Sequence, residues 1–271
     1  MQDNTLVGTL TIGGSSVLGD LKDVSCRFQP DHNNTKALNN YGVSRQISKM
    51  GITFTVGLYS TITADDVRVD FFNITAVTLG GTDIRCDLYS FEVEGTFTRK
   101  ADPGFCSRWK TMANKSKDYK ATLEVGISDA GYAALVAASA STVEADRRMD
   151  LVATVNGVGI TIQVTLGEIQ NAFEDEDNQR VTFTVMGNAP SDGSDYPTAP
   201  TGVATLLTWA FNGSKSTKAI SFKSNNAAGV GVAIDGNVTL ASFKFGCRDG
   251  EVLVTTYELE SYGTMTVAPT A

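Results

Sequence analysis

The chain has little of what catalytic and secreted proteins are usually built on. It holds one histidine, six prolines, two tryptophans and four cysteines in 271 residues. His32 has no nucleophile-and-base pattern around it, which argues against a triad or a His-based metal site. Cys26, Cys86, Cys106 and Cys247 are scattered and show no Cys-x-x-Cys pair. Zinc sites need closely spaced ligands, so these cysteines are expected as buried free thiols in a reducing compartment. No hydrophobic run reaches the ~20 residues that span a bilayer. The opening MQDNTLVGTL lacks the basic start and apolar centre of a secretory signal. Synthesis in a cytosol is therefore expected, and triplets such as Asn73-Ile74-Thr75 carry no glycosylation meaning. Charged residues make up only 19%, and the net charge is −8 without a basic patch. Specific nucleic-acid binding needs cations that displace phosphate counterions, so the surface is expected to repel nucleic acid. No cofactor is expected.

What is present is glycine (26 residues), recurrent Thr and Val, and 42% hydrophobic residues, enough for a sizeable core. Thr and Val favour pleated strands. The chain also repeats a phrase. Residues 157–187 and 229–263 both open on Gly-Val-Gly, pass through Val-Thr-Leu and an acidic break, and close on an alternating strand ending at glycine. Residues 83–98 (DIRCDLYSFEVEGTFT) resemble the last closing strand, YELESYGTMT. Each copy of such a repeat must pair with neighbours to bury its face. The fold class expected is mainly β: a sandwich or barrel, internally repeated, with one short helix and an extra C-terminal β unit.

Along the chain, residues 5–12 read as a strand before the Gly13-Gly14 turn, and 21–28 as a half-buried strand. Residues 29–49 are polar, rich in Asn and without a clear period, so a long structureless loop is expected there. Such loops are usually functional. Strands are expected over 52–60 and 67–79, with Gly80-Gly81 marking a hairpin into 84–98. Residues 105–118 read as a short helix with Phe105, Trp109 and Met112 on one side. The main helix is expected over about 129–141, capped by Ser128 or Asp129. This gives a β domain over 1–187, a linker over 188–202 holding three of the six prolines, and a C-terminal β unit over 203–271 that partly repeats the first.

Candidate sites follow from this layout. In the 29–49 loop, Leu38, Tyr41, Val43 and Ile47 are apolar anchors that a pure linker would lack, which suits an arm that orders on assembly. Glu174-Asp175-Glu176-Asp177 has no glycine-centred calcium-loop alternation and reads as a solvated hairpin tip or an acidic rim. Gly157, Gly159, Gly229 and Gly231 precede strands and lack the lysine and helix of a phosphate loop, so they suit turns or bulges. Trp109, Trp209, Phe105, Phe211 and Phe222 sit in core-like patterns. No constellation of nucleophile, base and orienting group is visible, so a non-enzyme is expected.

The arrangement resembles the major tail tube proteins of long-tailed bacteriophages. The resemblance rests on an opening strand pair (6–12 and 21–28), the long polar loop (29–49), and the strand GITFTVGLYS. A helix of small residues (ISDAGYAALVAASAS), two further strands and the acidic break into VTFTVMG complete it. It covers most of residues 6–187. It implies a structural virion protein that forms stacked rings around a DNA channel, joined through sheets shared between subunits. Rings of six chains, or of three if the domain is duplicated, are implied. So are contacts with a tape-measure protein and tail-end proteins, DNA passing without specific binding, no membrane, and assembly in a host cytoplasm. Asp87, Glu92 and Glu94 are candidate lumen-facing carboxylates. A capsid cement or decoration protein, and a pilin-like or carbohydrate-binding module, remain alternatives.

Overall fold

A computed structural model describes residues 6–35, 44–59, 61–62, 67–68, 74–84, 88–101, 109–126, 136–155, 158–173, 179–187, 206, 209–210, 216–225, 230–248 and 250–270. The chain is mainly β. Its first half contains β1 (Leu6–Ile12), β2 (Ser15–Ser16), β3 (Leu21–Thr35), β4 (Ser44–Tyr59), β5 (Thr61–Ile62) and β6 (Val67–Arg68). β7 (Ile74–Leu79), β8 (Thr82–Asp83), β9 (Leu88–Ala101) and β10 (Met112–Gly126) follow. After these come β11 (Arg148–Val155), β12 (Val158–Phe173) and β13 (Gln179–Gly187). The chain ends with β14 (Lys218–Asn225), β15 (Gly231–Arg248), β16 (Val254–Ser261) and β17 (Thr266–Thr270). Helix is sparse. Of the expected 129–141 helix, residues 129–135 lie outside the described residues, 136–140 are helical and Ser141 is not, and a single turn covers Glu144–Arg147.

Alternation makes these strands. In β15, Phe243, Phe245 and Cys247 are buried while Lys244 and Arg248 are exposed, the period-two pattern of a strand with one core face. The same rule corrects two expectations. Residues 112–118 are not helical: Met112 to Lys117 pair antiparallel with Ala101 to Phe97, and ladder hydrogen bonds override the local apolar spacing. Residues 29–35 and 44–49 are not a loop: they continue β3 and β4 as a two-stranded ribbon, with Asp31 opposite Lys49 and Thr35 opposite Ser44. Polar residues on both faces and a bulge at Asp31/His32 hide its period.

The expected C-terminal unit does not stand apart. β14 pairs with β1, β16 with β4, and β15 with β9, so the described strands of residues 203–271 share one sheet system with the first half of the chain. The Gly80-Gly81 turn forms as expected, but it leads into the short β8. β7 pairs with β11, while β9 pairs with β10 and β15.

The pairings resolve into two copies of one domain. One copy is β1–β4 with β14–β16; the other is β7–β13, inserted between β4 and β14. Through the first four strands the copies match at a constant spacing of 67 residues: Gly13 with Gly80, Val24 with Phe91, Val56 with Leu123. Their irregularities match too. The bulge at Leu21/Asp23 has its counterpart at Glu124/Val125, and that at Asp31/His32 at Asn114/Ser116. Both Gly-Gly turns hold positive φ, from 59° to 84°, which only glycine adopts without cost. Each is fixed by the same bonds: Gly13 N–H donates to the Ala219 carbonyl (2.7 Å) and Gly80 N–H to that of Asp150 (3.0 Å). Likewise Val17 N–H donates to Leu10 O (3.0 Å) and Ile84 N–H to Val77 O (2.9 Å).

The repeated Val-Thr-Leu phrase sits where each domain turns a corner. β12 pairs with β11 through its first half and with β13 through its second, and Val164 faces both. β15 does the same with β14 and β16, with Val238 facing both. A bulge follows the phrase in each case, after Leu166 and after Leu240. Bulges bend a strand, and here they carry the long strand from one layer to the other. The layers close on a shared core. In the first domain Phe54 of β4 meets Phe222 of β14 edge to face at 6.2 Å. The third sequence match, between 83–98 and the closing strand, does not correspond to equivalent elements: the counterpart of β9 is β3.

If the domains are true copies, Gly14→Ala and Gly81→Ala cost the same, each about 1 kcal/mol for forcing a Cβ into left-handed backbone. Phe245→Ala, which empties a site 1% exposed, costs about 3–5 kcal/mol. Urea unfolding measures all three. A Gly14→Ala penalty near zero beside a full one at Gly81 would contradict the equivalence.

Candidate functional site

Among the described residues the two domains share one strand ladder, their seam. Ser242–Arg248 of β15 run antiparallel to Ser90–Thr96 of β9, in unbroken register from Ser242 opposite Thr96 to Arg248 opposite Ser90. On the core side Phe91 and Phe245 pack edge to face at 6.2 Å, and Tyr119 meets Phe243 at 6.1 Å. Gly95 lies opposite Phe243 because nothing larger fits: a Cβ there would come within 2.2 Å of the ring. The seam extends the sheet through eight strands in the order β3, β4, β16, β15, β9, β10, β13, β12.

The other side of this sheet is a polar face. Glu92 and Glu94 lie on it, half-buried, at the seam itself. Glu92 is not an isolated charge: Lys244 Nζ sits 2.8 Å from its carboxylate. Glu94 is in register with Lys244 on one side and Lys120 on the other. Nearby, Ser242 Oγ donates to Glu258 at 2.9 Å, and Arg99 pairs with Glu260. Ser90 Oγ donates to Glu124 at 3.3 Å. A cavity of about 340 Å³ opens here, lined by Ser90, Glu92, Thr122, Glu124, Thr182 and Arg248 among others. The face thus mixes both signs, and at the seam the carboxylates expected from sequence are offset by Lys244 and Lys120.

Of the other predicted residues, Ile47 lies on β4 opposite His32 and is 60% exposed. Leu38, Tyr41, Val43, Asp87 and the Glu174-Asp175-Glu176-Asp177 run lie outside the described residues. The structure therefore brings together only Glu92 and Glu94. At the root of the ribbon, Asp31 pairs with Lys110 at 2.6 Å, and Lys110 N–H donates to Met50 O at 2.8 Å. These contacts tie the first domain's ribbon to the second domain.

Sequence reasoning missed the feature that organises the rest: two strand edges left open. Among the described residues β3 pairs only with β4, and β12 beyond Leu166 pairs only with β13. Phe28 on β3 is 44% exposed. Cys26, on the same strand, has its thiol pushed up to about 11 by burial, which makes it a poor nucleophile near neutral pH. Burial likewise raises the Tyr257 hydroxyl above its usual range. A signal for the domain equivalence was present in the sequence: Gly-Gly followed by Asp-Leu at Gly13, Gly14, Asp20, Leu21 and again at Gly80, Gly81, Asp87, Leu88.

Among the described residues no cluster of three His, Cys, Asp or Glu could hold a metal ion. No described helix is long and apolar enough to cross a membrane. Comparison with models of known protein families and with curated proteins gives no match.

The mixed polar face has a measurable consequence. Glu92→Lys with Glu94→Lys gathers four lysines with Lys244 and Lys120. The lost Glu92–Lys244 pair is exposed and worth roughly 0–1 kcal/mol, so the variant still folds cooperatively. At low salt it retards duplex DNA in a gel-shift assay, and the parent does not; the retardation fades as salt rises. Equal retardation by the parent would show that the native face does not repel the polyanion.

Proposed function

We propose that this chain is a structural virion protein that polymerises into stacked rings forming a phage tail tube, a conduit for DNA. The observation that carries the reading is the matched pair of domains, joined edge to edge, with an open strand edge at each end of the shared sheet. An open edge is an aggregation hazard in a monomer. It is useful where copies must join head to tail, because a heterologous contact that closes makes a ring.

In this reading the eight-stranded sheet lines the channel with its polar face inward, where Glu92 and Glu94 balance Lys244 and Lys120 so that no bare lysine cluster holds phosphates. Two domains per chain make three chains sufficient for the six-domain ring that the resemblance implies. The β3–β4 ribbon provides ring-on-ring contacts, with Ile47 as one of its anchors. Tape-measure and tail-end proteins are the further partners. No catalytic step or cofactor enters.

Electron microscopy of the purified chain tests the reading directly. At high concentration or when seeded, rings or tubes of uniform diameter are expected. A protein that stays monomeric at every concentration and salt would overturn it. A second experiment separates folding from stacking. Deleting residues 31–46 removes most of the ribbon, the Asp31–Lys110 pair included, and leaves cooperative melting in place, because shortening a surface connection costs little. Rings still form, but tubes do not. Loss of the melting transition would place the ribbon in the core instead.

A further inference from the structure

The open edges are not arbitrary. Under the domain equivalence, β3 is the counterpart of β9, and the distal half of β12 is the counterpart of the distal half of β15. β9 and β15 are the two strands that form the seam inside the chain. The chain therefore carries one complete seam and the two unmatched halves of a second, one half at each end of its sheet.

We propose that the distal half of β12 in one copy pairs antiparallel with β3 of a second copy, repeating the internal seam. This rests on the self-assembly reading and specifies its contact. The internal register fixes the new one. Phe243 opposite Gly95 becomes Ile169 opposite Phe28, and Phe245 opposite Val93 becomes Asn171 opposite Cys26.

Three observations support the match. First, the bulk at the first of these positions is redistributed between the strands. Inside the chain the Phe243 ring fills the space over Gly95. Across the new seam the aromatic ring comes from Phe28, which is exposed in the isolated chain, and the smaller Ile169 faces it. Second, at the middle of the seam Arg27 lies in register with the neutral Gln170, where Glu94 lies opposite Lys244 inside. The end pair, Arg248 opposite Ser90, maps to Glu174, outside the described residues, and Asp23, so like charges meet only at the margin. Third, among the described residues both edges are open along 24–29 and 168–173, six of the seven pairs of the seam. The second copy presents β3 in the orientation that β9 already has, so the contact is head to tail and can repeat around a ring.

Cysteine bridging in the assembled protein tests this. On a Cys26→Ser background, Phe28→Cys with Ile169→Cys places two thiols directly opposite each other across the proposed seam, with Cβ atoms at the ~5 Å of facing strand residues. Mild oxidation of assembled particles should give a denaturing-gel ladder that ends at the ring size, three chains. Peptide mapping should show a 28–169 disulfide. Gln29→Cys with Ile169→Cys, one residue out of register and on the other face, should give at least tenfold less. If the first pair fails to fold, Asn171→Cys in the otherwise native chain reports the same seam through a bridge to Cys26. Particles that assemble normally yet bridge in neither design overturn the seam and leave the tube reading intact. Particles bridged between Phe28→Cys residues of two copies show β3 pairing with itself and overturn it as well. A chain that never assembles overturns both.

Discussion

The constraint on which this fold depends is that a strand's backbone groups must be paired on both sides or left to solvent. Seven residues of β15 satisfy it against seven of β9, and that one run turns two small sandwiches into a single continuous sheet. Burial at the seam follows from it. Phe91, Phe243 and Phe245 are each 1% exposed, and each would lie on an edge if the domains separated. The same constraint explains what remains open. Each domain has an edge like β9 and an edge like β15, so joining two domains consumes one of each and leaves one of each.

Within a domain the decisive device is the bulge after Val-Thr-Leu. A strand of 16 or 18 residues is too long to lie flat in one layer of so small a unit. The bulge lets β12 and β15 leave one layer and enter the other without losing a partner, since Val164 and Val238 are paired on both sides at the crossing. Leu166 and Leu240, two residues further along each strand, are fully buried. The corner and the core are therefore one feature, and the sequence preserves the phrase that makes it in both copies.

Much of this was legible in the residues. Period-two alternation located most strands, glycine pairs located the turns, and the Val-Thr-Leu phrase identified one true correspondence between the copies. Pairing partners were not legible. Nothing local to Val254–Ser261 says that its neighbour is β4, some 200 residues earlier, because alternation records which face is buried and not which edge is bonded. The insertion of one copy inside the other therefore read as an appended unit. The ribbon read as a loop for a related reason: Asp31 and Ile47 are both exposed, so no buried face imposes a period. The lumen-charge reading weighed Asp87, Glu92 and Glu94 by their own strand, but Lys120 on the next strand and Lys244, far along the chain, lie opposite Glu94.

The insertion also sets a hierarchy of strength. Because the second domain lies between β4 and β14, the chain passes between the domains twice. Separating them would require the seam to open while both connections hold its halves at high effective concentration. The internal seam is also the more apolar of the two types, with Phe243, Phe245 and Cys247 along β15 where β12 carries Ile169, Asn171 and Phe173. The proposed contact between copies has no tether, carries Asn171 where the internal seam has Phe245, and loses translational freedom on forming. If copies join as proposed, this ordering leaves the chain a discrete two-domain body while dilute and confines strand addition to one edge pair. Under that proposal the duplicated architecture separates folding, governed by the internal seam, from assembly, governed by a weaker version of it.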